Sequence, residues 1–485
     1  MHWIDLSIFI IYLLAMLGVG VYFFYRNRSD DDYYVGGRNM SAGHIGLSVV
    51  ATDVGGGFSI GLGGLGFTMG LSGNWMLFTG LIGAWMSSVW LIPKIFGTAR
   101  KKGLLSFPQA LEHFYNPKVA LIAGIISFIG YIGFTSSQIL AGAKLASATF
   151  PTLDIAQVVW IMGVVAVVYT VIGGIKAVIY TDSVQWSILL LGLVGIGIPL
   201  GFLKIGGFEG LRNILKPEML ELTNISIVQL INWAITIIPI WFVGMTLYQR
   251  IYACKDEKTA IKAWRIAGLF EWPVMAFMGV LLGLFAKVGL EQGMFVNLGY
   301  DANSTIDAEM GLPLFLRETL PIGLMGLMLS AYFSAIMSTA DSCLMAASGN
   351  LTSDVLGRFK FSKKSQIGNS QIATLIIGAF AVFLALEMKN VLELMLYSYA
   401  FMVSGLLVPV LGMLFLSRPS VNAAITAMIT GGGTTLSLIL LNTNLPLGLD
   451  PNFFGILISA LSFTIVQKFD QTNKPENGIF NAGSK

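Results

Sequence analysis

The sequence predicts an all-α polytopic membrane protein with about 13 transmembrane helices and an inverted five-helix-repeat core that contains two broken helices. Of its 485 residues, 55% are hydrophobic and only 11% are charged, whereas soluble proteins carry about 25% charged residues. Of the 29 Lys and Arg residues, 22 fall in alternate loops, the bias expected of cytoplasmic loops. Period-two alternation is absent from the sequence, so a transmembrane barrel is not predicted.

Thirteen apolar segments are long enough to span a bilayer. They cover residues 4–25, 44–70, 74–97, 119–149, 155–173, 178–205, 227–250, 265–289, 321–355, 368–388, 390–416, 420–441 and 452–468. We expect one transmembrane domain over residues 1–485. Its parts are an extra N-terminal helix (4–25), a first five-helix repeat (44–205), a second repeat (227–416), C-terminal helices (420–468) and a disordered cytoplasmic tail (471–485).

The first apolar segment indicates the orientation of the chain. It has no basic region before it and no small-residue cleavage site after it, so it is not predicted to be a signal peptide. Arg26 and Arg28 follow it, which places the N-terminus outside and the first loop inside. With 13 spans the C-terminus is cytoplasmic, and we expect a multi-pass protein of a plasma or inner cell membrane.

Two of the predicted spans contain residues that break helices. The second carries three consecutive glycines, Gly55 to Gly57, and the seventh carries Pro239 and Gly244 on either side of Trp241. These two spans are five apart. Broken helices at matching positions of two halves are typical of inverted-repeat transporters, which bind their cargo at the breaks.

Composition and residue scarcity argue against other classes of protein. A net charge of +3 gives no indication of a nucleic-acid partner, and the two cysteines and three histidines are too scattered for a disulfide or a metal cluster. An enzyme would need a convergent acid–base or metal set, a channel a charged ring or carbonyl filter, and a sensor a soluble signalling domain. We find none of these in the sequence, so an enzyme is not expected.

Three aspartates, Asp53, Asp182 and Asp341, lie in or beside apolar segments. A carboxylate at mid-membrane costs roughly 2.5–3.5 kcal/mol even on the lenient insertion scale, unless it faces a cavity, a partner or an ion. Ala335 and Ser338 share one helical face with Asp341, and oxygens on that face could bind a small hard cation. A close-packing face of small residues is the alternative.

The two other aspartates allow similar pairs of interpretations. At the glycine-rich break, Ala51 and Val54 could offer free carbonyls to a cation beside Asp53, or the glycines could serve only close helix approach. For Asp182 the sequence favours a helix N-cap over an ion site.

Several motifs make the chain resemble the sodium:solute symporter family over nearly its whole length. The specific runs are Gly173-Gly174 with Ala177, followed by Thr181-Asp182 with Gln185; Ser338 to Ser342; and Gln249-Arg250. The resemblance implies a sodium ion between the first broken helix and the ninth span. Its ligands by matching motif are the carbonyls of Ala51, Val54 and Ala335 and the hydroxyls of Ser338 and Thr339.

Some members of that family hold a second sodium, whose counterparts here would be Asp182, Ser338, Asp341 and Ser342. Those members often have Ser where this chain has Asp341. The extra carboxylate could strengthen a second sodium site or act as a relay that carries a proton, and both interpretations stay open.

The solute is expected between the two breaks and the fourth span. The candidate residues are Thr52, Asp53, Phe58, Phe134, Gln138 and Trp241. Aromatic faces suit a cationic group, although each aromatic could be an ordinary packing residue. The run from Ala51 to Gly57 looks like the choline members of the family, whereas Asp53 looks like the proline members.

The sequence therefore predicts a sodium-coupled secondary active symporter that imports a small organic solute by alternating access. Na⁺, the solute and the lipid bilayer are its expected partners. An amino acid such as proline, or a choline- or betaine-like solute, is favoured. A sugar, sialic acid or monocarboxylate remains open, as does a proton-coupled mechanism through the membrane aspartates. The sequence carries no indication of the oligomeric state.

Overall fold

The computed structural model describes residues 2–26, 35–150, 153–172, 175–302, 304–359, 366–442 and 445–472. Two features named above, the Gly173-Gly174 pair and nearly all of the predicted tail (471–485), lie outside these ranges. Within them the regular structure is helical, apart from one isolated β-bridge between Met40 and Cys254.

The α-helices run in chain order as follows: α1 Trp3–Arg26, α2 Ala42–Asp53, α3 Gly55–Met69, α4 Trp75–Trp90, α5 Ile92–Lys102, α6 Phe107–Phe114, α7 Pro117–Thr149, α8 Ile155–Ile172, α9 Ile175–Leu189, α10 Ile198–Lys204, α11 Gly207–Ile214, α12 Ile227–Val243, α13 Met245–Ala253, α14 Glu257–Leu269, α15 Ala276–Glu291, α16 Ala308–Thr319, α17 Leu324–Gly349, α18 Gln366–Glu387, α19 Val391–Phe415, α20 Val421–Leu441 and α21 Pro451–Thr472.

The thirteen predicted spans all coincide with helices. In the described part of the chain, seven helices are long and apolar enough to cross a membrane, and two bent helix pairs meet the same test of length and composition. The first pair runs on to Trp90 and so includes the third predicted segment, in α4, and the remaining segments fall on the shorter apolar helices within α1, α8 and α18. The all-α polytopic fold class is therefore confirmed.

Both predicted breaks are present. The chain bends by 58° between α2 and the helix that follows, where Gly55 has a φ of +56°. It bends by 44° between α12 and α13, where Gly244 leaves the helical conformation one turn after Pro239. In addition, π-helical segments that the sequence did not predict cover Leu190–Gly197, Phe270–Met275 and Asn350–Val355.

Glycines bring several of these helices into backbone contact. A Cβ atom on Gly283 of α15 would lie 1.9 Å from the carbonyl oxygen of Gly63 in α3, and one on Gly66 would lie 2.1 Å from that of Val280. Such close approach is how membrane helices gain packing energy without a hydrophobic driving force between them. The helices α3 and α15 are therefore held together as a closely packed pair.

The extra N-terminal helix packs against α17 and caps it. The Asp5 carboxylate accepts hydrogen bonds from the backbone N–H of Gly323 at 2.7 Å and of Gly326 at 2.8 Å. These groups lie at the start of α17, where N–H groups have no partner within the helix and where the dipole favours negative charge. Asp5 thus fixes α1 to the helix that carries several predicted site residues.

A cavity of about 1000 Å³, here called the vestibule, opens at the end of the protein where α7 ends and α16 begins. Among its lining residues are Gly61, Lys144, Glu309, Ala400 and Asp450. At the opposite end, Ser106 donates to Asp354 at 2.9 Å, and Arg358 pairs with Glu112. These two contacts tie α6 to the segment that follows α17.

Candidate functional site

The first broken helix contacts α17 through one hydroxyl group. Thr339 Oγ1 lies 2.9 Å from the carbonyl oxygen of Ala51 and 3.0 Å from that of Ala335. A Cβ atom on Gly55 would lie 2.9 Å from the same hydroxyl oxygen, so glycine allows this approach. Three of the five predicted sodium ligands are thus brought together.

The two other predicted sodium ligands lie on the same elements. The Val54 carbonyl accepts a hydrogen bond from Phe58 N at 3.1 Å, and its second lone pair leaves it able to bind a cation. Ser338, one residue before Thr339, donates its hydroxyl hydrogen to Asp182, so its oxygen lone pairs can face a cation. The donor set consists of oxygens, as a hard cation such as Na⁺ requires.

Asp182 lies at the centre of a buried polar network. Its carboxylate accepts hydrogen bonds from Ser338 and, at 2.6 Å, from Ser48, and it lies 3.7 Å from the Arg250 guanidinium. Arg250 also donates to Ser48 and, at 3.1 Å, to Ser342. Asp182 and Arg250 are both 0% exposed, so this is an ion pair inside the protein.

Two of the expectations from sequence are wrong here. Asp182 lies inside α9 and binds side chains of other helices, so it is not the helix N-cap that the sequence favoured. Arg250 is one of the 22 Lys and Arg residues that were counted in alternate loops, but it lies fully buried in α13, because Asp182 and two hydroxyls bind its charge.

The predicted second-sodium residues are only partly grouped. Asp182 and Ser342 share the Arg250 guanidinium, so a positive charge of the protein already lies between them. Asp341 is 0% exposed and lies beside the Thr170 hydroxyl, which donates to the Ala166 carbonyl instead. Neither carboxylate oxygen of Asp341 receives a hydrogen bond from the described residues.

Asp53 lies within a cluster of aromatic rings. The Tyr399 hydroxyl is 3.3 Å from Asp53 Oδ1. The Tyr399 ring meets that of Phe134 edge to face at 5.0 Å between centroids, and that of Phe58 at 6.5 Å. Thr52, on the same turn as Asp53, is buried, and its hydroxyl has no partner among the described residues.

The two remaining predicted solute residues have other contacts. Gln138 Oε1 accepts a hydrogen bond from Gly57 N at 3.0 Å and so satisfies a backbone group freed by the first break. Trp241 packs edge to face on Trp264 at 6.3 Å, and a Cβ atom on Gly83 of α4 would lie 2.5 Å from its ring. Trp241 therefore faces α4 and α14.

Sequence reasoning missed Tyr399, Glu271 and the burial of Arg250. Glu271 is the clearest omission, because it is a single carboxyl group within an apolar segment, the same signal that identified the three aspartates. It is 0% exposed and lies within hydrogen-bonding reach of Asp53. Tyr399 gave no comparable signal, since aromatic residues are common in membrane spans.

Two broken helices five spans apart, with polar groups gathered at the first break, are typical of secondary active transporters. The sequence profile described as the sodium:solute symporter family matches residues 33–431. The chain belongs to the sodium:solute symporter family.

Relatives with assigned functions span most of the chain. The osmoregulated proline transporter OpuE of Bacillus subtilis is 28% identical, over 97% of this chain and 95% of its own length. The sodium/proline symporter of Escherichia coli is 25% identical, over 88% and 86%. The sodium/glucose cotransporter 1 of Oryctolagus cuniculus is 26% identical, over 80% and 63%. These relatives are transporters and not enzymes.

Solved structures support the fold. The outward-open, substrate-bound structure of a Na⁺-coupled sialic acid symporter superposes with a TM-score of 0.76, covering 98% of each chain at 21% identity. A closed structure of Mhp1, a nucleobase-cation-symport-1 family transporter, gives a TM-score of 0.56 at 12% identity, over 92% of this chain and 95% of its own. At these sequence identities, the similarity to the two solved structures shows a shared fold only.

Proposed function

We propose that this protein is a sodium-coupled symporter that imports a small organic solute by alternating access. The favoured solute is an amino acid such as proline, or a choline- or betaine-like molecule. Family membership supports the transport class, and the proline transporters among its relatives support an amine-bearing solute. A sugar, sialic acid or monocarboxylate is the alternative within the same class.

The observation that carries the proposal is the position of the Thr339 hydroxyl between the Ala51 and Ala335 carbonyls. A hydroxyl hydrogen can be donated to only one acceptor fully. A sodium ion held by both carbonyls and by the hydroxyl oxygens of Thr339 and Ser338 would satisfy all four oxygens at once. Val54 would supply the fifth ligand. Sodium would thereby join the first broken helix to α17.

Because sodium would link α2 to α17, its binding would stabilise one conformation of the transporter relative to the other. With the N-terminus outside, the vestibule faces the exterior, and sodium bound between α2 and α17 stabilises the arrangement in which the vestibule is open. A ligand shifts such an equilibrium only by its difference in affinity for the two states. The membrane potential adds about 2.3 kcal/mol per charge per 100 mV to inward movement.

The test is sodium binding to the purified protein, measured as thermal stability against NaCl with KCl as the ionic-strength control. Ligand at 100 times its Kd stabilises a protein by about 2.7 kcal/mol, so a sodium-specific rise is measurable. The variant Ser338→Ala with Thr339→Val removes two ligand hydroxyls, and we expect it to lose this rise.

Thr149→Val is the matched control, since Thr149 is buried in α7 and donates only to its own helix, to the Leu145 carbonyl. It is expected to keep the sodium response of the native protein. Equal responses to NaCl and KCl in the native protein would reject sodium coupling. Uptake into liposomes driven by a pH gradient without sodium would then point to the proton-coupled alternative.

A further inference from the structure

Glu271 is a buried carboxyl group for which the helices provide dedicated space. It lies in the irregular segment Phe270–Met275, where Trp272 has the extended angles φ −133° and ψ 125°. A Cβ atom on Gly80 of α4 would lie 1.8 Å from Glu271 Oε2, so glycine leaves room for the carboxyl group in the position that it occupies. Both oxygens of Glu271 lack a hydrogen-bond donor among the described residues.

The Glu271 carboxyl group faces a second one. Asp53 lies within hydrogen-bonding reach of it and is 6% exposed. Among the described residues, Asp53 accepts only a long hydrogen bond from the Tyr399 hydroxyl, at 3.3 Å. Two carboxyl groups thus approach each other in a site with a single weak donor.

The buried cations of the neighbouring helices bind elsewhere. Arg250 faces Asp182 and Ser342, and Lys144 is 2.6 Å from Glu309 on the vestibule wall. No Lys or Arg in the described ranges forms an ion pair with Asp53 or Glu271. An uncompensated buried charge is strongly unfavourable, so either a shared proton or a bound positive group has to neutralise the pair.

The aromatic rings around Asp53 indicate which class of positively charged group could bind there. Tyr399 and Phe134 lie edge to face, Phe58 lies beside Tyr399, and Tyr131 stacks on Phe134 at 6.4 Å between centroids. The Trp241 ring packs against Gly83 of α4, and Glu271 packs against Gly80, one helical turn earlier. Both side chains therefore lie against the same face of α4. Aromatic faces combined with carboxylates recognise organic ammonium groups.

We propose that Asp53 and Glu271 together bind the positively charged nitrogen of the solute, and that the preferred solute is an organic cation and not a zwitterion. This inference rests on the proposed symport function. A zwitterion would bring a third carboxylate to a site that already contains two, whereas an organic cation brings only positive charge. Glu271 is then the residue that determines this preference.

The experiment compares matched solutes on purified protein in saturating NaCl, with the ligand-induced rise in melting temperature as the readout. Choline is paired with glycine betaine, and prolinol with proline. Within each pair the nitrogen is kept and a carboxylate is added. The neutral isostere 3,3-dimethylbutan-1-ol has the shape of choline without its charge. We expect each cation to bind more tightly than its zwitterion, and the neutral alcohol to be inactive.

The variant Glu271→Gln keeps the shape of the side chain and removes its charge. We expect the affinity for the preferred cation to fall about 30-fold or more, as for loss of one partner of a buried charge pair. The affinity for the matching zwitterion is expected to stay the same or rise. If the role of Glu271 were purely structural, the variant would lower the affinity for all solutes alike. Opposite changes in the affinities for cation and zwitterion would therefore identify a direct role in binding.

Asp5→Asn is the charge-matched control, since it neutralises another buried carboxylate, far along the chain, whose capping role an amide oxygen can keep. Its solute preference should equal that of the native protein. Tighter binding of the zwitterions to the native protein, no binding by any of the four charged solutes, or an equal loss for all solutes in Glu271→Gln would overturn the inference. If Glu271→Gln fails to fold, Glu271→Asp, which shortens the side chain but keeps its charge, should retain the preference for cations.

The sodium response separates this inference from the proposed function. If NaCl stabilises the native protein and the solutes show no preference for cations, the symport proposal stands and the cation preference fails. If NaCl has no specific effect, the symport proposal fails first. Glu271→Gln should keep the sodium response, because Glu271 is not among the proposed sodium ligands.

Discussion

Arg250 shows how a single residue can stabilise the protein and shape its site. Its guanidinium lies between Ser342 and Asp182, and it also donates to the Thr246 carbonyl of its own helix at 3.2 Å. The charge is thereby satisfied without water. Its place beside the predicted second-sodium residues means that a further cation there would have to lie next to a fixed positive charge.

Neutralising Asp182 should destabilise the protein strongly. Asp182→Asn leaves Arg250 buried without a counter-charge, and we expect a loss of about 3 kcal/mol in unfolding free energy. Thermal or denaturant unfolding in detergent measures it. Ser48→Ala removes one hydrogen bond of the same network and should cost only about 1 kcal/mol. Equal effects of the two variants would contradict an ion pair of this importance.

Gly55 is required by both its backbone and its surroundings. Gly55→Ala places a side chain at a φ of +56° and within 2.9 Å of Thr339 Oγ1. We expect a loss of about 1–2 kcal/mol from the backbone conformation, together with weaker sodium binding. Gly97→Ala is the control, because it lies in α5 with no atom within 4 Å of the added Cβ. That variant should be neutral or slightly stabilising.

Among the elements, α16 and α19 meet at the vestibule through Glu309. Its carboxylate accepts the backbone N–H of Val391 at 2.8 Å and of Leu392 at 2.9 Å, at the start of α19. It also binds Lys144 of α7, which lies 2.5 Å from Asp307. One side chain therefore links three elements that border the opening.

Weakening this link should open the vestibule further. Glu309→Gln removes one of the two carboxylates that hold Lys144, and we expect an impermeant maleimide to label Ala400→Cys about fivefold faster, a shift near 1 kcal/mol. Ala400 is a buried lining residue. The background is low because both native cysteines, Cys254 and Cys343, are 0% exposed.

A variant at the other end of the protein is expected to change the labelling rate in the opposite direction. Glu112→Gln loosens the contact with Arg358 that ties α6 to the segment after α17. It should favour opening at that end and slow the labelling of the vestibule cysteine. Glu209→Gln, at an exposed position of α11 that does not line the vestibule, should leave the rate unchanged. Faster labelling in all three variants would indicate general loosening instead.

At the scale of the whole molecule, the proposed cycle moves net positive charge inward. One sodium ion with a zwitterion carries one charge, and an organic cation adds a second. Each net charge gives roughly a 50-fold effect per 100 mV on the accumulation ratio. Uptake into liposomes should therefore rise under an inside-negative potassium diffusion potential set with valinomycin. Uptake that ignores this potential would contradict electrogenic symport.

The sequence predicted the architecture better than the contacts between helices. Span positions depend on local apolarity, and the breaks depend on residues that disrupt helices locally, such as Pro239 and the glycines from Gly55. Both features can be read from neighbouring residues. The π-helical segments could not be predicted, since they change the hydrogen-bond register without changing the apolar pattern.

In the candidate site, too, local motifs were predicted from the sequence and contacts between distant helices were not. Ala51, Ala335 and Thr339 were named together through the family motif, and the structure brings them into contact. The pairing of Asp182 with Arg250 joins α9 to α13, and no local pattern reports which helices become neighbours. Trp241 was assigned to the solute because it lies at a break, and nothing in the sequence indicated that its ring packs against Gly83, one turn from the place where Glu271 meets Gly80.

The buried pair of Asp182 and Arg250 also has a consequence for how the protein is made. Synthesis proceeds from the N-terminus, so the ribosome delivers the carboxylate of α9 to the bilayer before α13 and its guanidinium exist. Until then, Ser48 alone among the three partners of this carboxylate has been made, because Ser338 in α17 is synthesised after Arg250. A nascent chain released before α13 is made would keep the Asp182 carboxylate without its cationic partner. A quality-control protease could recognise such a chain as incomplete.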